Sequence, residues 1–324
     1  MKNNRVNKIL NTLDVMVYIL VLLTILTMMI SFVIGPYIVF NSSFGSEISG
    51  KVSEFYIFFI GLIFPFKAQM RILFILEWII YLSTFTLLAI SGKKSLQMMF
   101  KNKFSIIEPL SNNLTASISI FSITVIIVLI IDWLQYNIGI ETGSLPPMNP
   151  AELLCIISHA PLSEEIGFRL SIIGLFSLVL LKVWRRGISF VEYLIAPIPT
   201  IEKKIENVEE KRRIEQTIFL PLIFTSGIIF GLAHIMPSSV WSIGKATEAA
   251  IAGIMLGIAY AYYNIGVAIL IHWAFNYYSN VIYIFEENIY SIGLSNTLDI
   301  IIIAIGIILI TKILIRYLFF RESN

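Results

Sequence analysis

Eight long apolar runs dominate this chain, near residues 15–40, 71–91, 115–135, 153–181, 217–236, 246–263, 266–285 and 297–319. A hydrocarbon layer about 30 Å thick is crossed by roughly 20 helical residues, and every backbone N–H and C=O inside it must be bonded within the segment. Runs of that length, repeated along the chain, predict an all-α fold: a polytopic integral membrane protein of about eight transmembrane helices. Composition agrees, with 57% hydrophobic and only 14% charged residues against about 25% charged in an ordinary soluble domain. The first run, from Val15 to Phe40, is too long for the core of a signal peptide and lacks a small-residue cleavage site, so it reads as a retained first helix. A weaker apolar piece at 55–66, ending at Pro65, reads as interfacial or re-entrant.

Eight spans put both termini on one side, and the basic residues say which. Lys2, Arg5, Lys8, Lys93, Lys94, Lys101, Lys103, the cations between Lys182 and Arg213, and Lys312, Arg316 and Arg321 share one compartment. Only Lys51, Lys67, Arg71 and Lys245 fall opposite. The positive-inside rule therefore places both termini in the cytoplasm. A net charge of +2, spread among loops, argues against a nucleic-acid partner. The single cysteine, Cys155, allows no internal disulfide and no thiolate metal cluster. The connection from Arg185 to Gln216, with Pro197, Pro199 and a mixed-charge run from Glu202 to Glu215, reads as a cytoplasmic loop containing an amphipathic or solvated helix. No internal repeat of the transporter kind is visible.

Glu164, Glu165 and Arg169 stand at the mouth of the apolar run Leu170–Leu181, where one ionised side chain costs upward of about 2.5 kcal/mol. Glu165 and Arg169 are four apart with the acid first, the favourable orientation for a helical ion pair. Glu164 is turned about 100° round the helix and lacks that partner, which makes it a candidate general base. A solvated helix start capped by Ser163 is the plainer alternative. His234 follows Phe230 by one turn, and a lone buried histidine is more often a packing residue. His272 and Asn276 share one helix face, fit either for a common site or for helix–helix hydrogen bonding. His159 reads as interfacial, with Pro161 breaking or kinking the helix after it. Glu77 and Asp132 are expected to be satisfied by aromatic or hydroxyl neighbours and carry no assigned role. Gly227 with Gly231, and Gly253 with Gly257, are spaced for close helix packing.

Glu-Glu-x-x-x-Arg at 164–169, Phe-x-x-x-His at 230–234 and His-x-x-x-Asn at 272–276 together resemble the CPBP (Abi) family of intramembrane proteases, which includes the type II CAAX prenyl endopeptidases. The resemblance divides the chain into N-terminal transmembrane helices without an assigned motif (1–150), a CPBP-like protease core (151–285) that includes the cytoplasmic loop near 185–216, and a final helix with a basic cytoplasmic tail (286–324). It implies a helical bundle around an intramembrane cavity and hydrolysis of a peptide bond near the membrane. Glu164 and His234 would polarise the attacking water, His272 and Asn276 would hydrogen-bond the oxyanion, and Glu165, Arg169 and Phe230 would support them. The implied partners are membrane lipid and a peptide or protein substrate, prenylated in the CAAX branch of the family.

Glu164, His234 and His272 are also the ligand types of a hydrolytic site for a divalent metal such as zinc, and the sequence leaves that mechanism open. Two further readings stay open: a proton-coupled transporter using the same residues, and a catalytically idle relative acting as a scaffold or in peptide-toxin immunity. The expected topology sets Glu164 and His234 in the outer halves of their helices and His272 in the inner half of its own. They can meet only if helices are broken, tilted or displaced, for which Pro161, Pro237 and the Asn264–Gly266 turn are candidate places.

Overall fold

The apolar runs fold as helices whose ends are set by a few side chains, in a computed structural model that describes residues 2–60, 62–101, 110, 112–236 and 241–320. Helix α1 (Lys2–Pro36) ends in a π-helical turn, Tyr37–Asn41, and stops at Ser42. Helix α2 is Met70–Lys101. Helix α3 (Asn113–Asn137) starts where the Asn112 carboxamide oxygen accepts the Thr115 N–H at 3.0 Å. Helix α4 (Pro150–Glu164) has Asn149 as its cap and Pro150 in its first turn, where the missing N–H costs nothing. It continues without a break as a π-helical stretch, Glu165–Leu175, and ends at Phe176–Leu180. Helix α5 (Leu220–Ile235) is led in by Val208–Ile214 and a π turn. Helix α6 is Ile243–Tyr262. Helix α7 (Ile265–Trp273) runs through the π turn Ala274–Tyr278 into Ser279–Asn288, and α8 (Leu294–Phe320) closes the bundle.

Seven of these rods are long and apolar enough to cross a membrane, which with the small sheet content makes the chain a polytopic, essentially all-α membrane protein. The run expected at 153–181 is also one continuous rod, but it carries Glu164, Glu165 and Arg169 near its middle. Pro161 does not break it; the helix runs on and widens from Glu165. The span expected from 217 starts earlier, at Val208. Asn207 accepts the N–H groups of Glu209 and Glu210 at 2.8 and 3.1 Å, and two acids at the N-terminus of a helix followed by three cations suit its dipole. Mixed charge here extends the helix out of the apolar run.

The weak apolar piece at 55–66 is neither helix nor coil. It lies in an antiparallel hairpin, β1 (Val52–Phe59) and β2 (Leu62–Gln69), so the piece does not end at Pro65. Pro65 pairs with Tyr56. Proline has no N–H to give a ladder, and the Tyr56 carbonyl points outward instead, accepting from His159 Nε2 at 2.8 Å. The Ile60 N–H reaches the Ser171 hydroxyl at 3.2 Å, so the hairpin is fastened to α4 and its π-helical continuation.

Helices α5 and α6 pack backbone to backbone through the spaced glycines. A Cβ on Gly231 would fall on the Ala246 carbonyl and lie 2.7 Å from Ala250 Cβ, and one on Gly227 would lie 2.5 Å from Ile254 Cγ1. Gly231→Val is therefore expected to lower stability by about 1–3 kcal/mol, the usual cost of overpacking. Thermal unfolding in detergent measures this, and an unchanged midpoint would contradict the close approach.

Two contacts tie the N-terminal helices to the rest. Phe32 of α1 stacks on the fully buried Trp273 of α7, ring centroids 4.7 Å apart. Asp14 of α1 and Lys312 of α8 form a buried ion pair. Lys312 is thus not a loop cation, as the charge pattern had it, and the pair brings the start of α1 and the end of α8 to one end of the bundle. Lys103, Pro237 and Arg321 lie outside the described residues.

Candidate active site

Glu165 is the first residue of the π-helical stretch, and it and Arg169 are completely buried. The Glu165 carboxylate does two things. Its Oε2 lies 3.3 Å from Arg169 Nε, and its Oε1 accepts from His272 Nδ1 at 2.8 Å. Arg169 donates from Nη2 to the Gly253 carbonyl of α6 at 3.4 Å, and its guanidinium lies over the Phe230 ring, 4.3 Å from the centroid. A buried arginine is tolerated only when its charge is met; here a carboxylate, a carbonyl and an aromatic face meet it.

On the far side of the imidazole, His272 Nε2 lies 3.5 Å from Glu164 Oε2 and 3.5 Å from Asn276 Nδ2. Glu164 Oε2 is itself buried without a hydrogen bond among the described residues. The backbone switches to π-helical geometry at Glu165 and again at Ala274, on either side of these contacts; such widenings recur at functional sites. The structure thus brings Glu164, Glu165 and His272 together, with α4 unbroken at Pro161 and the chain turning at Tyr263 and Asn264 between α6 and α7.

His234 stands across Phe230, whose ring is edge-on to both imidazoles, with centroids 4.7 Å from His234 and 5.8 Å from His272. His234 Nδ1 donates to the Phe230 carbonyl at 2.9 Å, so in the neutral ring Nε2 keeps its lone pair. His234, His272, Asn276 and Phe230 are among the residues lining a cavity of about 90 Å³, room for a few waters. Glu164 meets that cavity through His272 and is not itself a lining residue.

The cavity is also lined by two residues that motif reasoning passed over, Lys245 and Glu248 of α6. Glu248 Oε1 accepts from the Thr142 hydroxyl at 2.8 Å and from Gln135 Nε2 at 3.3 Å, and Oε2 lies 3.8 Å from Lys245 Nζ. The available signal was that Glu248 is the lone carboxylate in the apolar run 246–263. Asp132 receives a long contact from Thr142, at 3.4 Å.

His159, read from the sequence as interfacial, is partly buried. It sits between the Phe55 and Phe66 rings of the hairpin, with Nδ1 2.6 Å from Glu77 Oε1 and Nε2 2.8 Å from the Tyr56 carbonyl. The Tyr56 carbonyl can only accept, so Nε2 donates to it. Glu77 also takes the Ser158 hydroxyl at 3.2 Å, and so is fully employed in holding the hairpin against α4.

Among the described residues no group of three or more His, Cys, Asp or Glu side chains is arranged to hold an ion. Within the ligand set Glu164, His234 and His272, Glu165 on Nδ1 leaves Nε2 of His272 as its ligating nitrogen, the usual way a carboxylate orients a ligating histidine, and His234 stands across the Phe230 ring.

Residues 146–278 match the family model described as type II CAAX prenyl endopeptidase, Rce1-like. Neither the curated proteins nor the solved structures give a match to the chain. The matched segment contains Glu164, Glu165, Arg169, Phe230, His234, His272 and Asn276, the same residues that gather round the cavity and the buried ion pair. Residues 146–278 of this integral membrane chain are thus similar to the Rce1-like family of type II CAAX prenyl endopeptidases.

Proposed function

We propose that the protein is an intramembrane endopeptidase that hydrolyses a peptide bond of a CAAX-type prenylated substrate, with its termini on the cytoplasmic side and water activated by Glu164. One observation carries this reading. Glu165, held by Arg169, occupies Nδ1 of His272, while the buried, hydrogen-bond-free Glu164 Oε2 stands at the other nitrogen, beside Asn276 and next to a water-sized cavity.

The chemistry follows from what each atom can give or take. A water bonded to the lone pair of His234 Nε2 loses its proton to Glu164 as its oxygen attacks the scissile carbonyl carbon. Negative charge then develops on the carbonyl oxygen. The Asn276 amide donates to it, as does His272 from Nε2 in its imidazolium form, oriented by Glu165. Collapse of the tetrahedral intermediate breaks the C–N bond, and Glu164 returns its proton to the leaving amine. Contacts of 3.5 Å in the free enzyme are of the length that tightens when substrate arrives. No step is routed through a metal.

Cleavage of a quenched, prenylated peptide in liposomes tests this. The wild type is expected to turn over with chelator present, and His272→Ala and Asn276→Ala to fall by about 10²–10³, the typical cost of one oxyanion donor. A folded wild type inert towards prenylated and unprenylated peptides alike would sink the reading. Loss of activity to chelator, restored by zinc, would replace Glu164 as sole activator of the water.

A further inference from the structure

The cavity opens at one end of the bundle and is closed at the other. Its lining includes His234 in the last turn of α5 and Lys245 and Glu248 in the first two turns of α6, and both His234 and Lys245 are partly exposed. The connection between α3 and α4 borders the same end: the Ser242 and Gly244 N–H groups bond to the Thr142 and Glu141 carbonyls at 2.9 and 3.0 Å. Towards the opposite end the last lining residue on α6 is the buried Leu256. Beyond it Ile173 and Ile223 close round Gly257, where a Cβ would lie 3.2 and 3.1 Å from their side chains. Next come Tyr193, Phe219, Ala259 and Tyr260, all 0% exposed, and the two tyrosine hydroxyls are already committed, to Ser177 Oγ at 2.6 Å and to the Leu194 carbonyl at 2.8 Å. That layer is apolar and its hydroxyls are spent, so it seals the cavity on this side.

Charge tells the two ends apart. The sealed end joins the last turns of α4's continuation and of α6 to the 190–202 segment, and the Tyr263 hydroxyl, just past α6, reaches the Leu110 carbonyl, just before α3, at 3.3 Å. The cations from Lys182 to Arg213 lie on the connections of this end, and an excess of cations marks the cytoplasmic face. At the open end Lys51 is matched by Glu152 at 2.6 Å and Lys245 by Glu248 at 3.8 Å. We propose that water and substrate reach the catalytic groups from the non-cytoplasmic face, opposite the termini, so that the protein takes membrane-held peptides, prenylated or not, whose scissile bond is displayed on that face. The proposal rests on the peptidase reading above for what the opening serves. At about 90 Å³ the cavity takes waters, and the bulk of the peptide stays at its mouth. A cytoplasmic chain end would have to cross the layer from Tyr260 to Ile173, whereas an outer segment need only pass Lys245 and His234.

Cysteine accessibility tests the direction without requiring turnover. The single native cysteine, Cys155, is buried and gives a quiet background. Glu141→Cys on the α3–α4 connection, Ala252→Cys in the cavity lining and Lys204→Cys at the sealed end each add one thiol; Glu141 and Lys204 are exposed, so their replacement leaves the core intact. In intact cells producing the protein, a membrane-impermeant maleimide is expected to label Glu141→Cys and Ala252→Cys as fully as after permeabilisation, and Lys204→Cys only after it. Lys245→Cys at the mouth reports the same opening should Ala252→Cys fail to fold. Labelling of Lys204→Cys in intact cells overturns the proposal, as does a cavity cysteine that reacts only after permeabilisation or not at all. Vesicles of the two orientations then test the substrate. An impermeant peptide added outside is expected to be cleaved where the termini are enclosed, and cleavage only where the termini face outward also overturns the proposal. A protein labelled as expected yet inert towards peptides on both faces would keep the outward opening and remove the peptidase reading.

Discussion

Glu164→Gln is expected to cut peptide cleavage by about 10³-fold or more, with KM little changed and thermal stability preserved. The amide fills the same volume and keeps a polar group beside His272 Nε2, now 3.5 Å from the carboxylate, but it cannot accept the proton that water must lose. General-base contributions run at about 10²–10⁴, and the same group is asked to deliver the proton to the leaving amine. Single-turnover kinetics on the prenylated peptide, with a melting curve for the same preparation, measure both halves. Activity within tenfold of wild type would take the base role away from Glu164.

The second large effect belongs to the neighbouring acid and is one of stability first. Glu165→Ala strands Arg169, which is completely buried and would keep only a 3.4 Å bond to the Gly253 carbonyl and the Phe230 ring. Removing one partner of a buried pair costs about 3–5 kcal/mol. The double variant Glu165→Ala/Arg169→Met removes the stranded charge and should recover most of that loss, a non-additivity expected of contacting residues. It should not recover activity, because His272 Nδ1 loses the acceptor that orients it. Chemical unfolding of the three proteins in detergent gives the cycle. A single variant as stable as the wild type would show that the pair carries no such burden.

Much of the fold was readable because its cause is local. Twenty-residue apolar runs have one way to satisfy their backbone in lipid, and Gly227, Gly231, Gly253 and Gly257 mark where two helices touch. The spacing of Glu165 and Arg169 likewise announces an ion pair. The rest depends on partners far away in the chain. Glu165 meets His272 over 107 residues, Glu77 meets His159 over 82, and Gln135 meets Glu248 over 113; no periodicity encodes such meetings. The hairpin was obscure for another reason. Phe64, Ile63, Leu62 and Ile57 are all exposed, so its strands lack the alternation that one buried face would impress on them. The π-helical stretches were hidden too, since Glu165–Leu175 reads like any apolar helix. Motif resemblance picks out the helices that carry Glu164, His234 and His272, but Lys245 and Glu248 in the same cavity lining belong to no such motif and emerge only once the helices are assembled.

The Asp14–Lys312 contact bears on how the molecule is built as well as on how it stands. The two residues are 298 apart and belong to the first and last helices, so during synthesis the aspartate is made long before the lysine. The pair cannot form before α8 is in place, whereas the aromatic stack of Phe32 on Trp273 needs only α1 and α7.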